Sequence, residues 1–233
     1  ATRSTNDRVK MLIKSKKIKS GDIIVAKYQY KGRGQHTNKW YSSHGKNLLC
    51  SMLYRHLDLN INRVFSINQV VSLAVLKTIR KFNKEKCLIK WPNDILSVNK
   101  KISGILIENL YSGQKLNGSI VGVGININQL EFPSHLNATS MKILLKKELK
   151  LEKVLDCFLR FFSSNLETYK DFNFLKKNFN KNLYGIDKII EIKIKGKVVK
   201  GRVIGLVDDK RFKIFESNGA IKLLKLTDFK IIG

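Results

Sequence analysis

A central helix is the clearest element in the pattern of apolar and polar positions. Ser66 and Gln69 have the spacing of a capping box, and the positions that follow, as far as Phe82, are apolar on almost every side of a helix. A helix without a polar face has no side to offer to water, so we expect it to be buried. Two further helical stretches are predicted, over residues 4–17 and over residues 140–179. The first of them also begins with a capping-box spacing.

Short β-type segments account for most of the remaining apolar positions. Short turns at Asn99-Lys100 and Asn117-Gly118 indicate that neighbouring strands pair antiparallel. From Asp187 onward the chain contains about five short β-branched segments, which predicts a small β-barrel. The strands predicted before this tail are residues 23–26, 48–54, 87–90, 94–98, 102–110 and 119–128.

Runs of strands with helices grouped apart from them are typical of an α+β fold. We therefore predict a mixed, largely antiparallel sheet with segregated helices over residues 1–184, and a separate β-rich domain over residues 185–233. A chain of 233 residues is long enough for one such domain and a small satellite domain.

Composition argues against several classes of protein. Cys50, Cys87 and Cys157 are far apart and include no CxxC pair, which argues against a disulfide scaffold or a zinc ribbon and favours a reducing cytoplasm. The four histidines show no metal-ligand spacing. The longest apolar runs are interrupted by charge too soon to span a bilayer, so no membrane association is expected.

The formal net charge of +27 is the strongest compositional signal. Clustered basic residues attract polyanions, so this charge suggests a nucleic-acid partner. Here lysine greatly outnumbers arginine and the excess is spread along the whole chain, whereas phosphate-clamping and base-reading sites favour the arginine fork. We therefore interpret most of the charge as solvated surface, with weak and non-specific attraction to nucleic acid.

The polar segment between Tyr28 and Trp40 contains the first candidate for chemistry. Gly32 and Gly34 let the backbone approach a ligand closely and adopt positive φ, and Arg33 between them offers a fork for carboxylate or phosphate. Such a loop is expected to be mobile until an anion orders it. A solvated hairpin loop is the alternative, and the Rossmann fingerprint is excluded because its third glycine is missing.

Two further segments carry candidate residues near predicted turns. Asn93 and Asp94 suit a turn, but Asp94 is also placed to help position Mg²⁺ bound to a nucleotide. Lys101 precedes a strand in which Gly104 leaves room for a ligand.

The last candidate is the predicted strand 119–128. Strand alternation sends its valines and isoleucines to one face and Gly122, Gly124 and Asn126 to the other. A sheet face without side chains indicates close approach of a ligand or another backbone, although a β-bulge or tight helix packing explains the glycines equally well.

In order and spacing, these segments resemble the biotin protein ligase family. The resemblance covers nearly the whole chain, and it implies a class II synthetase-like α+β domain followed by an SH3-like barrel. Five motifs carry it: Ser4-Thr5-Asn6, the Gly32-Arg33-Gly34 loop ending in Trp40, Lys90-Trp91-Pro92-Asn93-Asp94, Lys101 with Gly104-Ile105-Leu106-Ile107-Glu108, and Gly122-Val123-Gly124-Ile125-Asn126.

The resemblance also implies an activity and its residues. The chain would use ATP and Mg²⁺ to convert biotin to biotinyl-5′-AMP and would transfer biotin to a lysine of a biotin carboxyl carrier protein. Lys101 and Arg33 would be catalytic, and Asp94 would belong to the Mg-ATP environment. The implied ATP or adenylate site contains Trp40, Asn93, Asp94 and Asn126. The implied biotin site contains Ser4, Thr5, Asn6, Gln29, Gly32, Arg33, Gly34, Gln35, Lys101, Gly104, Leu106 and Gly122.

Two features qualify the resemblance. Many relatives carry arginine where this chain has Gln35, which supplies no charge, so the retention of the adenylate is an open question. Family members that repress transcription carry a DNA-binding winged helix before the segment that begins at Ser4, and only three residues precede it here. We therefore expect a short form with no specific DNA partner. Whether the protein forms a homodimer is left open.

Two alternatives remain at this point. A lipoate–protein ligase has the same fold, but its Gly-Gly-Gly loop is absent here. A basic nucleic-acid-binding protein would use the β-rich tail, which lacks the clustered aromatic residues of a stacking platform and contains only Phe212, Phe215 and Phe229.

Overall fold

The computed structural model describes residues 1–55, 65–113, 115–168, 171–208, 211–217, 219–225 and 227–232. Five helices and eleven strands lie in these ranges. The helices are α1 (Thr5–Lys14), α2 (Ser66–Phe82), α3 (Met141–Leu145), α4 (Leu151–Glu167) and α5 (Phe172–Lys181). The strands are β1 (Ile23–Val25), β2 (Leu48–Tyr54), β3 (Cys87–Lys90), β4 (Asp94–Ser97), β5 (Lys100–Ser112), β6 (Lys115–Ile125), β7 (Ile189–Ile194), β8 (Lys197–Leu206), β9 (Arg211–Glu216), β10 (Ile221–Lys225) and β11 (Phe229–Ile231).

The first six strands form one antiparallel sheet in the order β1-β2-β6-β5-β4-β3. Helices α2 and α4 cover one face of it, where Val121, Val123 and Ile125 of β6 join the main hydrophobic core. On the other face α1 packs through Val9 against Leu53 and Ile120 in a smaller cluster. Strand alternation thus produces two faces of different character, as the apolar pattern predicts. The candidate chemistry lies on the α1 side.

The central helix is confirmed. Its residues from Ile67 to Leu76 are all buried, with Val70, Val71 and Ala74 at 0% exposure. The capping prediction is wrong at this helix, because Phe65 is the N-cap and Ser66 is already the first helical residue. At α1 the N-cap is Ser4, but its side chain makes no capping hydrogen bond.

The single helical stretch predicted over residues 140–179 is wrong. Three helices occupy this region, and α3 ends at Leu145, before Lys146, whose φ of +58° is left-handed. Helix α5 begins after Asp171, whose side chain accepts a hydrogen bond from the backbone N–H of Phe174 at 2.9 Å. Local capping and a left-handed residue therefore divide a stretch whose apolar spacing alone reads as continuous.

The turn predicted at Asn117-Gly118 is also in a different place. Both residues lie within β6, and Gly113, with a φ of +57°, follows the end of β5. The ladder between β5 and β6 changes register at Leu110/Tyr111, which absorbs the difference in strand length. The antiparallel pairing that the turn implied is confirmed.

Five strands after α5 form the second sheet, in the order β10-β9-β8-β7-β11 with antiparallel pairing throughout. Trp91, from the turn between β3 and β4, packs against it: its ring stacks on Phe229 at 5.5 Å and lies 5.3 Å from Phe212. One hydrophobic core therefore runs from the first sheet into the second. The α+β class is confirmed, and the division at residues 184 and 185 remains a prediction.

Candidate functional site

Three glycines of the β5–β6 hairpin form a surface without side chains on the α1 side of the sheet; we call Gly104, Gly122 and Gly124 the glycine row. Gly104 and Gly124 are paired across the ladder, and Gly122 is paired with Leu106. A Cβ atom at Gly124 would lie 2.6 Å from Cε2 of Trp40, and one at Gly104 would lie 2.9 Å from Cζ3 of the same ring. A Cβ at Gly122 would collide with Oδ1 of Asn6. These glycines therefore allow α1 and the Trp40 indole to lie directly on the sheet.

A buried polar network joins the start of α1 to the sheet beside this row. Gln29 Oε1 accepts hydrogen bonds from the backbone N–H of Thr5 at 2.6 Å and from its hydroxyl at 3.1 Å. Ser51 of β2 donates to Oδ1 of Asn6 at 2.5 Å and lies 2.6 Å from the Thr5 hydroxyl oxygen. The Ser4 side chain, 2% exposed, lies at the same end of the helix. Ser51 was not predicted as a site residue, since no local pattern distinguishes it from other strand serines.

Residues 31–40, which we call the Arg33 loop, fold back over the glycine row. Trp40 donates its backbone N–H to Gly32 at 3.0 Å, and Gly34 donates to Asn38 at 2.7 Å. A Cβ at Gly32 would lie 2.5 Å from the carbonyl oxygen of Trp40. The glycines thus permit close contact within the loop, and the left-handed residue is His36, with a φ of +53°, rather than either glycine. The expectation of positive φ at the glycines is wrong.

Two carboxylates of the protein hold the Arg33 guanidinium. Nη1 and Nη2 donate to Oε1 and Oε2 of Glu108 at 3.1 and 2.8 Å, and Nη2 lies 2.9 Å from Oδ1 of Asp7. Glu108 also accepts from Lys10 Nζ at 2.7 Å and from Asn6 Nδ2 at 2.8 Å. Burial opposes ionisation of Glu108, but the hydrogen bonds from Arg33, Lys10 and Asn6 outweigh it and lower the pKa of its carboxyl. Glu108 is therefore a charged anchor for the loop.

Lys101 and Asp94 form an ion pair at the other end of the glycine row. Lys101 Nζ lies 2.7 Å from Asp94 Oδ1 and 5.6 Å from the centre of the Trp40 ring. The neighbouring Asn93 is fixed by two hydrogen bonds to Ile105, one from its side-chain amide at 2.6 Å and one to its backbone carbonyl at 2.9 Å. The first residues of β4 and β5 therefore place a carboxylate and a lysine ammonium side by side.

Lys90 is a second cation on this part of the sheet; it opens one of the five motifs, but no role in the site was predicted for it. It is the cross-strand partner of Asp94, so both side chains lie on the same face. The pKa of Lys90 is lowered, mainly by burial and further by the nearby charge of Lys101, although the charge of Asp94 opposes this shift. Two lysines therefore flank one carboxylate, which makes this end of the site favourable for anions.

The structure brings most of the predicted site residues around one cavity of about 100 Å³. Gly32 lies in the adjoining part of the Arg33 loop, and Asn126 lines a second, neighbouring cavity of about 80 Å³ together with Trp40 and Lys101. Asn126 Nδ2 donates to the carbonyl of Thr139 at 3.0 Å, while its buried Oδ1 has no hydrogen-bond partner among the described residues. The predicted residues that line the first cavity are Ser4, Thr5, Asn6, Gln29, Arg33, Gly34, Gln35, Trp40, Asn93, Asp94, Lys101, Gly104, Leu106 and Gly122.

The cavity wall also contains Cys50, which is fully buried. Burial raises the pKa of its thiol to about 12, so the thiol stays protonated at neutral pH and is a poor nucleophile. Among the described residues no group of three or more His, Cys, Asp or Glu side chains is arranged to hold a metal ion. None of the helices in the described ranges has the length and apolar character needed to cross a membrane.

Comparisons with known proteins agree with this arrangement. Residues 1–126 match the model of the Biotin/lipoate A/B protein ligase family. The bifunctional ligase/repressor BirA of Bacillus subtilis is 28% identical over 91% of this chain and 66% of its own length. Biotin–protein ligase 1, chloroplastic, of Arabidopsis thaliana is 32% identical over 78% of this chain and 52% of its own length. The chain thus spans between half and two thirds of the length of these two curated relatives.

The fold comparison extends over the whole chain. The structure of the biotin protein ligase from Aquifex aeolicus in complex with biotin and ATP superposes with a TM-score of 0.85 at 27% identity, covering 99% of this chain and 95% of that one. The resemblance noted from the five motifs is thereby confirmed. Because the family model matches more than half of its residues, the chain belongs to the Biotin/lipoate A/B protein ligase family.

Proposed function

We propose that this protein activates biotin with ATP to biotinyl-5′-AMP and transfers biotin to a lysine of a biotin carboxyl carrier protein. The observation that carries the proposal is the glycine row, with a polar network at one end and the Lys101–Asp94 pair at the other. An elongated ligand with a hydrogen-bonding head and an anionic tail fits such a surface. The biotin and ATP bound in the A. aeolicus structure are the substrates of this type that the comparison supports.

The biotin head would occupy the end formed by Ser4, Thr5, Asn6 and Gln29. The side chains of Thr5, Asn6 and Gln29 already belong to one hydrogen-bonded network, in which Ser51 joins Thr5 to Asn6, so their donors and acceptors are oriented before the ligand arrives. Adenine would lie beside Trp40, where the unpartnered Oδ1 of Asn126 is a buried acceptor for its exocyclic amino group. A buried acceptor without a partner is costly, and a ligand donor would remove that cost.

The first step joins two anions. The biotin carboxylate attacks the α-phosphorus of ATP, an acyl–phosphate bond forms, and pyrophosphate leaves. Lys101 lies between the two proposed subsites, so its ammonium would stabilise the charge that develops there, with Lys90 adding to the positive potential. No side chain of the protein needs to act as a nucleophile.

In the second step the amine of the carrier lysine attacks the acyl carbonyl. An amide forms, AMP leaves and the amine loses a proton. Mg²⁺ would enter with the triphosphate, which supplies most of its ligands, and Asp94 is the carboxylate positioned to meet it. The unpaired cysteines support a reducing, cytoplasmic site of action.

An ATP–pyrophosphate exchange assay tests the activation step. With Mg-ATP, we expect exchange in the presence of biotin and none with lipoate or without an acid. Exchange that depends on lipoate would instead indicate the lipoate branch of the family, and no exchange with either acid would contradict the proposal.

The transfer step needs its own assay. Biotinylation of a purified carrier domain, detected by streptavidin, should require ATP and should disappear when the acceptor lysine of the carrier is replaced by arginine. Labelling that survives this replacement would show that the reaction is not the proposed specific transfer.

A further inference from the structure

Arg33 has one polar group that the protein does not use. Its two terminal nitrogens are engaged by Glu108 and Asp7, whereas its Nε–H is buried and has no hydrogen-bond partner in the described ranges. Arg33 lines the cavity above the glycine row. A buried donor without a partner is rare, and its presence in a cavity wall indicates a ligand acceptor.

We propose that Glu108 is a positioning residue for biotin binding, which acts by holding Arg33 so that this Nε–H is presented to the ligand. The inference rests on the proposed function, because it names biotin as the ligand. A bidentate pair with a carboxylate fixes the guanidinium plane, and a single hydrogen bond would leave it free to rotate. The contact from Asp7 supplies a third restraint on the same group.

The surrounding charges show why Glu108 suits this role. Arg3 lies 3.4 Å from Asp7 and Lys10 lies 2.7 Å from Glu108, so both carboxylates are shared between cations. The hydrogen bonds and charges of Glu108 and Asp7 outweigh the effect of burial and raise the pKa of Arg33. Arg33 therefore presents one oriented donor to the ligand, and its own charge is largely balanced by Glu108 and Asp7. The net positive charge of the site comes from its other end, where Lys90 and Lys101 share the single carboxylate of Asp94.

Glu108 also connects the loop to the biotin end of the site. The carboxylate oxygen that binds Arg33 Nη2 accepts from Asn6 Nδ2, and Asn6 in turn accepts from Ser51. One side chain on β5 thus contacts both the Arg33 loop and the start of α1 and fixes their relative positions. Substitution of Glu108 should therefore affect biotin binding through the Arg33 loop and through Asn6 on α1. A variant that lacks Arg33 isolates the contribution of the loop.

The test is a double-mutant cycle on the biotin dissociation constant, measured by calorimetry on the full chain. The variants are Glu108→Gln, Arg33→Met and the double substitution. Glutamine keeps an acceptor for Asn6 but removes the charge and the second acceptor of the fork. We expect Glu108→Gln to weaken biotin binding about tenfold. This loss is at the lower end of the range for breaking a charged hydrogen-bonded pair, because the Arg33 side chain is 36% exposed and solvent screens part of the interaction.

In the Arg33→Met background the same substitution should change biotin binding by no more than about twofold. An equal loss in both backgrounds, or no loss in either, would overturn the proposal. In pyrophosphate exchange the KM for biotin should rise with the dissociation constant, while the KM for ATP stays within about twofold of that of the unsubstituted protein. A smaller folded fraction would lower the rate without changing either KM. Glu152→Gln on the exposed surface of α4 is the matched control and should change nothing.

A readout without substrates separates this inference from the proposed function. Release of Arg33 should speed tryptic cleavage after Arg33 about tenfold in Glu108→Gln, because cleavage follows the population of the open loop. Unchanged cleavage would refute the anchoring even if biotin is bound. If the unsubstituted protein binds no biotin but Glu108→Gln is cleaved faster, the proposed function is refuted while the anchoring of Arg33 by Glu108 is supported. If Glu108→Gln does not fold, Asp7→Asn is the second variant, because it removes the other carboxylate that contacts Arg33. Its effect on biotin binding should likewise disappear in the Arg33→Met background.

Discussion

Gly124→Ala should separate activity from stability at the site. Gly124 is the last residue but one of β6, paired on one side with Leu49 and on the other with Gly104, and its backbone is not in the left-handed region. Alanine therefore fits the local conformation of the chain. The only difference is one methyl group on the face of the sheet that the Trp40 indole covers.

The expected effect follows from distances. The new Cβ would lie 2.6 and 2.7 Å from Cε2 and Cζ2 of Trp40 and 3.0 Å from its Nε1. Carbon atoms settle at roughly 3.5–4.0 Å, so the indole must move by about 1 Å. Trp40 belongs to the Arg33 loop, which can shift without disturbing the core. Loss of loop packing then offsets the gain of roughly 0.4–1 kcal/mol from a less flexible unfolded chain.

We therefore expect the free energy of unfolding to change by less than about 1 kcal/mol while the ATP KM rises at least about tenfold, because a misplacement of about 1 Å is costly in a binding site. The assays are urea unfolding and pyrophosphate exchange at saturating biotin. An ATP KM within about twofold of the unsubstituted protein would refute the placement of adenine beside Trp40.

Gly118→Ala is the control in the same strand. Its Cβ would lie 2.6 Å from the carbonyl oxygen of Tyr54, which belongs to the backbone of β2 and cannot move aside. We expect a loss of about 1–3 kcal/mol in stability with no change in the ATP KM. Together the two variants distinguish crowding at the site from crowding elsewhere in the sheet.

Three further predictions concern the lysine, the loop and the surface charge. Lys101→Ala should reduce biotin-dependent exchange about a hundredfold or more, and exchange within about threefold of the unsubstituted protein would contradict its catalytic role. The thermal unfolding temperature should not change, because the backbone hydrogen bonds of residue 101 to Asn137 and Thr139 remain. Trypsin should cleave the free protein after Lys31 and Lys39, which are exposed, and biotin with Mg-ATP should protect both sites; equal rates would exclude ordering by ligand. DNA binding, measured on two unrelated duplexes, should be equal for both and should collapse as salt rises; a salt-resistant preference for one duplex, or a response to biotin, would indicate a regulatory role.

Local pattern was sufficient for most elements of the first domain. Strand 48–54, strand 87–90 and the end of the central helix at Phe82 were predicted with the bounds that the structure has. Alternation, helical periodicity and end signals operate within a few residues, so they can be interpreted without knowledge of the fold. The same locality explains the failure over residues 140–179, where apolar spacing continues across two helix ends.

Residue types at the site were also predictable, although their contacts were not. The sequence pointed to Arg33 as a cation for an anionic ligand, and its five motifs indicated which residues would gather around that ligand. It could not indicate that Glu108, 75 positions away, occupies both terminal nitrogens, or that Lys10 and Asn6 share the same carboxylate across about 100 positions. Such contacts depend on the register of β5 against β6 and on where α1 crosses the sheet, which no short pattern records.

The second sheet illustrates the same distinction. Its β-branched segments predict strands, and its aromatic residues are too few for a nucleic-acid stacking platform. The tertiary structure assigns Phe212 and Phe229 another role: they pack against Trp91, three residues before Asp94, and so connect this sheet to the turn that precedes Asp94. Sequence alone determined the elements, the charge and the candidate residues, because these follow from local chemistry. The tertiary structure decided which carboxylate holds which cation and which surface supports the turn before Asp94, because those contacts form only when distant segments pack.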